Sequence, residues 1–173
     1  MRKRIAIVLM LVVLVVASIA IAQQRTPTLE MEVQALMAQH DQALSNLDLN
    51  GILATYRSGD EIALMGTGPG EFYVGRQGVR SAYSNFFEGA RPGSFSQRFV
   101  AFRAATRDNS GWFMATSQAT LARNNEPPRT FGINWSGVVT RENNQWRFAA
   151  LHFSMLAPPD RGAPAQQPPA PPR

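Results

Sequence analysis

The sequence predicts an α+β domain: three N-terminal helices packed on a strongly curved antiparallel sheet, forming a cone-shaped α+β barrel. Three observations predict it. Apolar residues recur at helical spacing only in the first half of the folded region. The second half reads as four alternating strands joined by short polar turns. Helices first and strands last place the helices against one face of a bent sheet, and such packing encloses a cone whose mouth is a ligand site.

The elements follow in order. Leu29, Val33, Leu36, Met37, His40, Leu44 and Leu47 form one helical stripe over residues 28–47. Asp48 is suited to cap a second short helix, Leu49 to Tyr56, because its carboxylate can accept free backbone N–H groups. Ser58-Gly59-Asp60 ends it, and Glu61 to Gly66 is a short apolar strand. Gly66-Thr67-Gly68-Pro69-Gly70 is a turn; no Gly-Lys-Ser/Thr follows, which removes a phosphate-loop reading. Phe72-Tyr73-Val74 is a second short strand, and Gly75 precedes a helix over Arg76 to Glu88 whose apolar face is Val79, Tyr83, Phe86 and Phe87. The meander follows as Phe95 to Ala105, Trp112 to Arg123, Arg129 to Thr140 and Gln145 to Met155.

The ends differ from this middle. Met1-Arg2-Lys3-Arg4 is cationic, Ile5 to Ile21 is apolar but for Ser18, and Ala20-Ile21-Ala22 offers a small-residue cleavage site. Residues 1–22 are expected to be a signal peptide, cleaved after Ala22, which places the protein in the periplasm or outside the cell. The rival is an uncleaved anchor at the low edge of spanning length. Residues 26–156 are expected to be one domain, and residues 157–173, rich in Pro, Ala and Gln, a disordered tail. The formal charge is +5, but three of the cations lie in the signal segment and the remaining arginines are scattered. Nucleic-acid binding therefore lacks a basic stripe. With no Cys, the fold rests on its core rather than on disulfides.

Two patterns carry a family resemblance. The first is Leu47-Asp48-Leu49-Asn50-Gly51-Ile52-Leu53, followed by a strand and Gly75-Arg76-Gln77-Gly78-Val79. The second is Trp146-Arg147-Phe148-Ala149-Ala150-Leu151-His152-Phe153-Ser154. With the order of elements, they resemble the SnoaL-like branch of the nuclear transport factor 2-like superfamily, which includes ketosteroid isomerases. The resemblance spans about Glu30 to Ser154 and implies the cone, but it leaves the function open among isomerases, cyclases, dehydratases, binding proteins and dimerisation modules. Many relatives carry an acid directly before the closing His; here Leu151 stands there.

Candidate site residues follow from alternation. Side chains alternate across a strand, so Trp146, Phe148, His152 and Ser154 are expected to share one face and line the pocket. Tyr56 and Tyr83 are further candidate ligand contacts. His152, His40 and Asp60 are candidate acid/base groups, since imidazole titrates near neutral pH. Two buried neutral histidines are the plainer alternative. Asp41, about 100° round the helix from His40, is expected to face solvent. No metal is expected, because two histidines without Cys or a ligating spacing fall short of a zinc site, and no cofactor is expected. Asn134-Trp135-Ser136 matches a glycosylation sequon inside a strand and reads as chance. The leading reading is an exported domain that binds a small, mostly apolar molecule. An acid/base isomerase or dehydratase using His152, and a non-catalytic dimerisation module, are the alternatives. A sheet covered on one side leaves the other face free, so a homodimer through the sheet is expected, with no membrane association once the signal is cleaved.

Overall fold

A computed structural model describes residues 28–124 and 126–155. The expected signal segment and proline-rich tail lie outside them. Helix α1 (Leu29–Ser45) is capped by Thr28, whose hydroxyl accepts the Met31 N–H. Helix α2 (Leu49–Thr55) starts at Asp48, whose Oδ1 accepts the Gly51 N–H at 2.9 Å. Strands β1 (Ala63–Met65) and β2 (Phe72–Val74) form a hairpin, and α3 (Gly75–Phe87) follows. The meander consists of β3 (Ala90–Arg107), β4 (Ser110–Arg123), β5 (Arg129–Glu142) and β6 (Gln145–Met155). Among the described residues, no helix is long and apolar enough to cross a membrane.

The six strands form one sheet in the order β2-β1-β6-β5-β4-β3. It departs from the antiparallel expectation at one ladder, where β1 runs parallel to β6 and pairs Leu64 with Leu151. The reason is topological: β1 leads into a hairpin and a helix before the meander returns beside it, and that crossover permits parallel pairing. The helices cover the inner face. Val33, Met37, Ile52, Val79, Phe113, Val139 and Phe148 are among the residues removed from solvent between the layers.

Two irregularities bend the sheet. On β3 the register shifts between Phe99 and Ala101, leaving Val100 unpaired and exposed. On β6, Val138 pairs with Ala150 and Val139 with Phe148, so Ala149 is an extra residue. A bulge of this kind reverses side-chain alternation beyond it and sharpens the twist. Trp146 and Phe148 therefore face inward before the bulge, and Leu151 and Phe153 face inward after it.

This corrects the expected pocket wall. Trp146, Phe148, His152 and Ser154 do not share a face: the first two lie under the helices, while His152 and Ser154 pair opposite Ser136 and Asn134 on the outer face. Strict alternation assumes an unbroken ladder, and Ala149 breaks it. Gly137, paired with Leu151, makes the junction fit. A Cβ there would stand 2.5 Å from the Ala150 carbonyl oxygen and 2.7 Å from the Phe113 ring. Gly137→Ala is expected to lower stability by about 1–3 kcal/mol through this overpacking, measured by urea unfolding. An unchanged midpoint would show that the junction tolerates a side chain.

Candidate functional site

A cavity of about 650 Å³ opens at one end of the cone. Its walls come from α1, β1, α3 and the ends of β3 to β6. Leu44, Phe86, Phe95, Ile133, Trp135 and Phe153 make most of the lining apolar, and His40 and Tyr83 are its innermost polar groups. The opposite end is plugged. Phe148 is fully buried with its ring 5.8 Å from those of His40, Tyr56 and Phe113, and Trp146 donates its indole N–H to Glu32 at 2.7 Å. Trp146 and Phe148, two of the four β6 residues expected to line the pocket, therefore close the narrow end.

The polar groups at the cavity floor form a chain. His40 Nε2 is 2.7 Å from the Tyr83 hydroxyl, which is 2.9 Å from the Tyr56 hydroxyl. Behind the imidazole, Nδ1 lies 3.7 Å from Asp41 Oδ1. Gln97 Nε2 donates to Asp41 Oδ2 at 2.6 Å, and Ser117 Oγ donates to Gln97 Oε1 at 3.1 Å. The chain therefore joins α1, the residue that follows α2, α3, β3 and β4. His40, Tyr56 and Tyr83 are brought together, as a shared pocket would require. Asp41 differs from expectation: its side chain is only 19% exposed, because β3 packs across α1 and Gln97 draws the carboxylate inward.

The other candidates lie elsewhere. His152 is exposed on the outer face, with Nδ1 3.4 Å from Ser136 Oγ, in a shallow groove shared with Met65, Phe72, Trp112 and Met114. Asp60 is exposed and accepts the Arg76 backbone N–H at 3.1 Å, so it caps the start of α3. Among the described residues no group of three His, Cys, Asp or Glu side chains is arranged to hold a metal. Sequence reasoning missed Gln97, Ser117 and the inward pair Trp135 and Phe153. A signal existed for the first two: each is a polar residue at an inward position of an apolar alternation (Phe95-Gln97-Phe99 and Ala115-Ser117-Ala119), and a buried polar side chain needs a partner. Trp135 also lines this region, and its buried Nε1 has no hydrogen-bond partner among the described residues.

Burial pushes both phenols upward from their ordinary value. For Tyr56 desolvation is followed by the neighbouring Tyr83; for Tyr83 desolvation outweighs the opposing hydrogen bond from Tyr56, and the Asp41 charge adds to it. Both hydroxyls therefore keep their protons at neutral pH. The sign for stability follows. Below pH about 10 folded and unfolded chains hold these protons alike; above it the unfolded chain loses them first, so stability falls as pH rises. Each tyrosine is expected to contribute about 1.4 kcal/mol per pH unit in that range. Urea unfolding between neutral and strongly alkaline pH checks this, and Tyr83→Phe should reduce the slope. An equal slope in the variant would contradict the assignment.

No curated protein matches the chain in sequence. Solved structures match it in fold. A candidate scytalone dehydratase from Novosphingobium aromaticivorans superposes with a TM-score of 0.65 at 13% identity, covering 79% of this chain and 90% of that one. A candidate dehydratase of the NTF2-like family from Streptomyces avermitilis gives 0.64 at 12% identity, covering 75% and 96%. A candidate calcium/calmodulin-dependent protein kinase II association domain from Xanthomonas campestris gives 0.65 at 17% identity, covering 75% and 88%. These likenesses show the fold: an α+β cone of the NTF2-like kind. The SnoaL-like domain profile matches residues 33–158, from the first inward valine of α1 to just beyond β6, and by that match the chain belongs to the SnoaL-like domain family.

Proposed function

We propose that this is an exported domain that binds a small, mostly apolar molecule in its cone, with one polar group of the ligand against Tyr83 and His40 behind it. The observation that carries the reading is the cavity. Its volume, about 650 Å³, falls in the usual range of small-molecule sites, and its apolar wall converges on a single polar cluster. Apolar walls supply affinity through burial, and the cluster supplies orientation. Export is supported by the cationic start, the apolar run and Ala20-Ile21-Ala22.

A second reading is acid/base chemistry in the same cone, as an isomerase or dehydratase. It is favoured by the alignment of Tyr56, Tyr83, His40 and Asp41, in which a titratable imidazole has a carboxylate on one side and a phenol facing the cavity on the other. The dehydratase names of two structural neighbours agree with it. In this reading His40 takes the role expected of His152, which lies across the sheet from the cavity.

The outer face supports self-association. Met65, Phe72, Val74, Trp112, Met114 and Val138 are exposed there, and among the described residues no helix covers them. A second copy presents the same apolar face and would bury it symmetrically, and one neighbour is named as an association domain.

Two measurements test these readings. Saturating 2-naphthol is expected to raise the thermal midpoint of the purified protein, and Ala82→Trp, which fills the cavity from α3, should abolish the shift while leaving the protein folded. No shift in the parent protein would overturn the binding reading. Light scattering with intact-mass analysis of protein recovered from the periplasm should give two copies of residues 23–173. A monomer at micromolar concentration would overturn the dimer, and retention of residues 1–22 would overturn cleavage.

A further inference from the structure

The buried chain around His40 has a direction, and that direction decides what a ligand must offer. A neutral imidazole carries one N–H. His40 Nδ1 faces Asp41 Oδ1 at 3.7 Å, and neither atom has a hydrogen-bond partner among the described residues. A nitrogen lone pair facing a carboxylate in a buried site is repelled, whereas an N–H is attracted. The proton therefore belongs on Nδ1. Asp41 is itself held in place: Gln97 donates to its other oxygen at 2.6 Å, and Ser117 fixes the Gln97 amide by donating to Oε1 at 3.1 Å.

Nε2 is then a bare acceptor, so the 2.7 Å contact with Tyr83 is a bond that Tyr83 donates. That uses the single phenolic proton of Tyr83. The 2.9 Å bond between the two phenols is consequently donated by Tyr56. Every proton from Tyr56 through Tyr83 and His40 therefore points toward Asp41. What Tyr83 retains for the cavity is an oxygen lone pair.

We propose that the cone selects ligands carrying a hydroxyl on an apolar ring over ligands carrying a carbonyl, because Tyr83 meets them as a hydrogen-bond acceptor. Asp41, Gln97 and Ser117 are the positioning residues that set this polarity. The proposal rests on the cone being a ligand site. A carbonyl would need the proton of Tyr83, and taking it leaves buried Nε2 without a donor, a costly state. A ligand hydroxyl takes nothing from the chain. In the acid/base reading the same polarity makes Tyr83 the acceptor of the ligand's hydroxyl proton while its own proton passes to Nε2. The products of that step are an alkoxide on the ligand, a neutral Tyr83 and an imidazolium against Asp41.

Asp41→Asn should reverse the polarity. Gln97 donates to one position of the side chain, so the asparagine carbonyl must sit there and its NH₂ must face Nδ1. That moves the imidazole proton to Nε2, which then donates to Tyr83 and frees the phenolic proton for the cavity. Nitrogen-15 correlation spectra of the purified, labelled protein read the ring directly. His152→Gln, on the exposed outer face, leaves His40 as the only imidazole to assign. The expected result is a protonated Nδ1 and a bare Nε2, exchanged in Asp41→Asn. A ring protonated at Nε2, or at both nitrogens, in the parent protein would overturn the proposal.

Titration with 2-naphthol and 2-acetonaphthone reads the consequence. The parent protein should prefer the naphthol by about tenfold, the worth of one hydrogen bond. Tyr83→Phe, which supplies the baseline for any carbonyl contact with the Trp135 indole, should lose that preference while still binding both, and Asp41→Asn should invert it. Equal binding of the two probes in parent and Tyr83→Phe proteins would overturn the polarity while leaving the cone a ligand site. Binding of neither would instead remove the ligand site itself.

Discussion

The extra residue at Ala149 is the constraint on which the rest of the domain depends. A strand of uniform alternation would send Trp146, Phe148, Ala150, His152 and Ser154 to one side. The bulge divides that set. Before it, Phe148 fills the narrow end of the cone beneath His40 and Tyr56, and its carbonyl accepts the Arg57 N–H at 2.9 Å, joining the chain after α2 to β6. After it, Leu151 and Phe153 turn inward, with Phe153 edge-on to Trp135 at 4.4 Å. One residue thus separates the plugged end from the open end of the same strand. Gly137 opposite is the matching concession, since any side chain there would meet the Ala150 carbonyl.

The floor of the open end is where polar groups are buried most deeply. His40 and Ser117 are almost fully removed from solvent, and Tyr56 and Tyr83 nearly so. Burying such groups is unfavourable unless each finds a partner. Here the partners belong to four different elements and to the residue after α2, so the cost is offset only when α1, α3 and the meander are all in place. The chain therefore ties the position of the helices to the sheet at the point where the cavity ends. The residual mismatch, an imidazole nitrogen and a carboxylate oxygen 3.7 Å apart with no other partner among the described residues, lies at the centre of that chain. Incomplete satisfaction of buried polar groups is rare in plain cores.

Much of the architecture was legible beforehand because periodicity is a local property. The stripe of Val33, Leu36, Met37, His40 and Leu44 places α1 on the core, and the same spacing puts Val79 and Tyr83 inward on α3. Asp48 and Gly51 set the start of α2 through a bond between near neighbours. The site was less legible because it is built from separations of tens of residues: Gln97 reaches Asp41 from 56 positions away, and Ser117 reaches Gln97 from 20. Asp41 illustrates the limit. Helical geometry turns it away from His40's own stripe, yet the covering strand supplies an amide that draws its carboxylate back.

The sequence by itself determined the class of the domain, the order and approximate limits of its elements, and the pairing of an apolar helix stripe with an aromatic-rich meander. These follow from propensities and spacings that act within a few residues. Only the tertiary structure decided which face of β6 meets the cavity, that His152 lies outside while His40 lies inside, and that Asp41 stands behind the imidazole. The physical reason is the same in each case. A bulge depends on how two strands pair, and a buried hydrogen bond depends on which distant element arrives opposite, and neither is encoded in the local pattern of a single strand or helix.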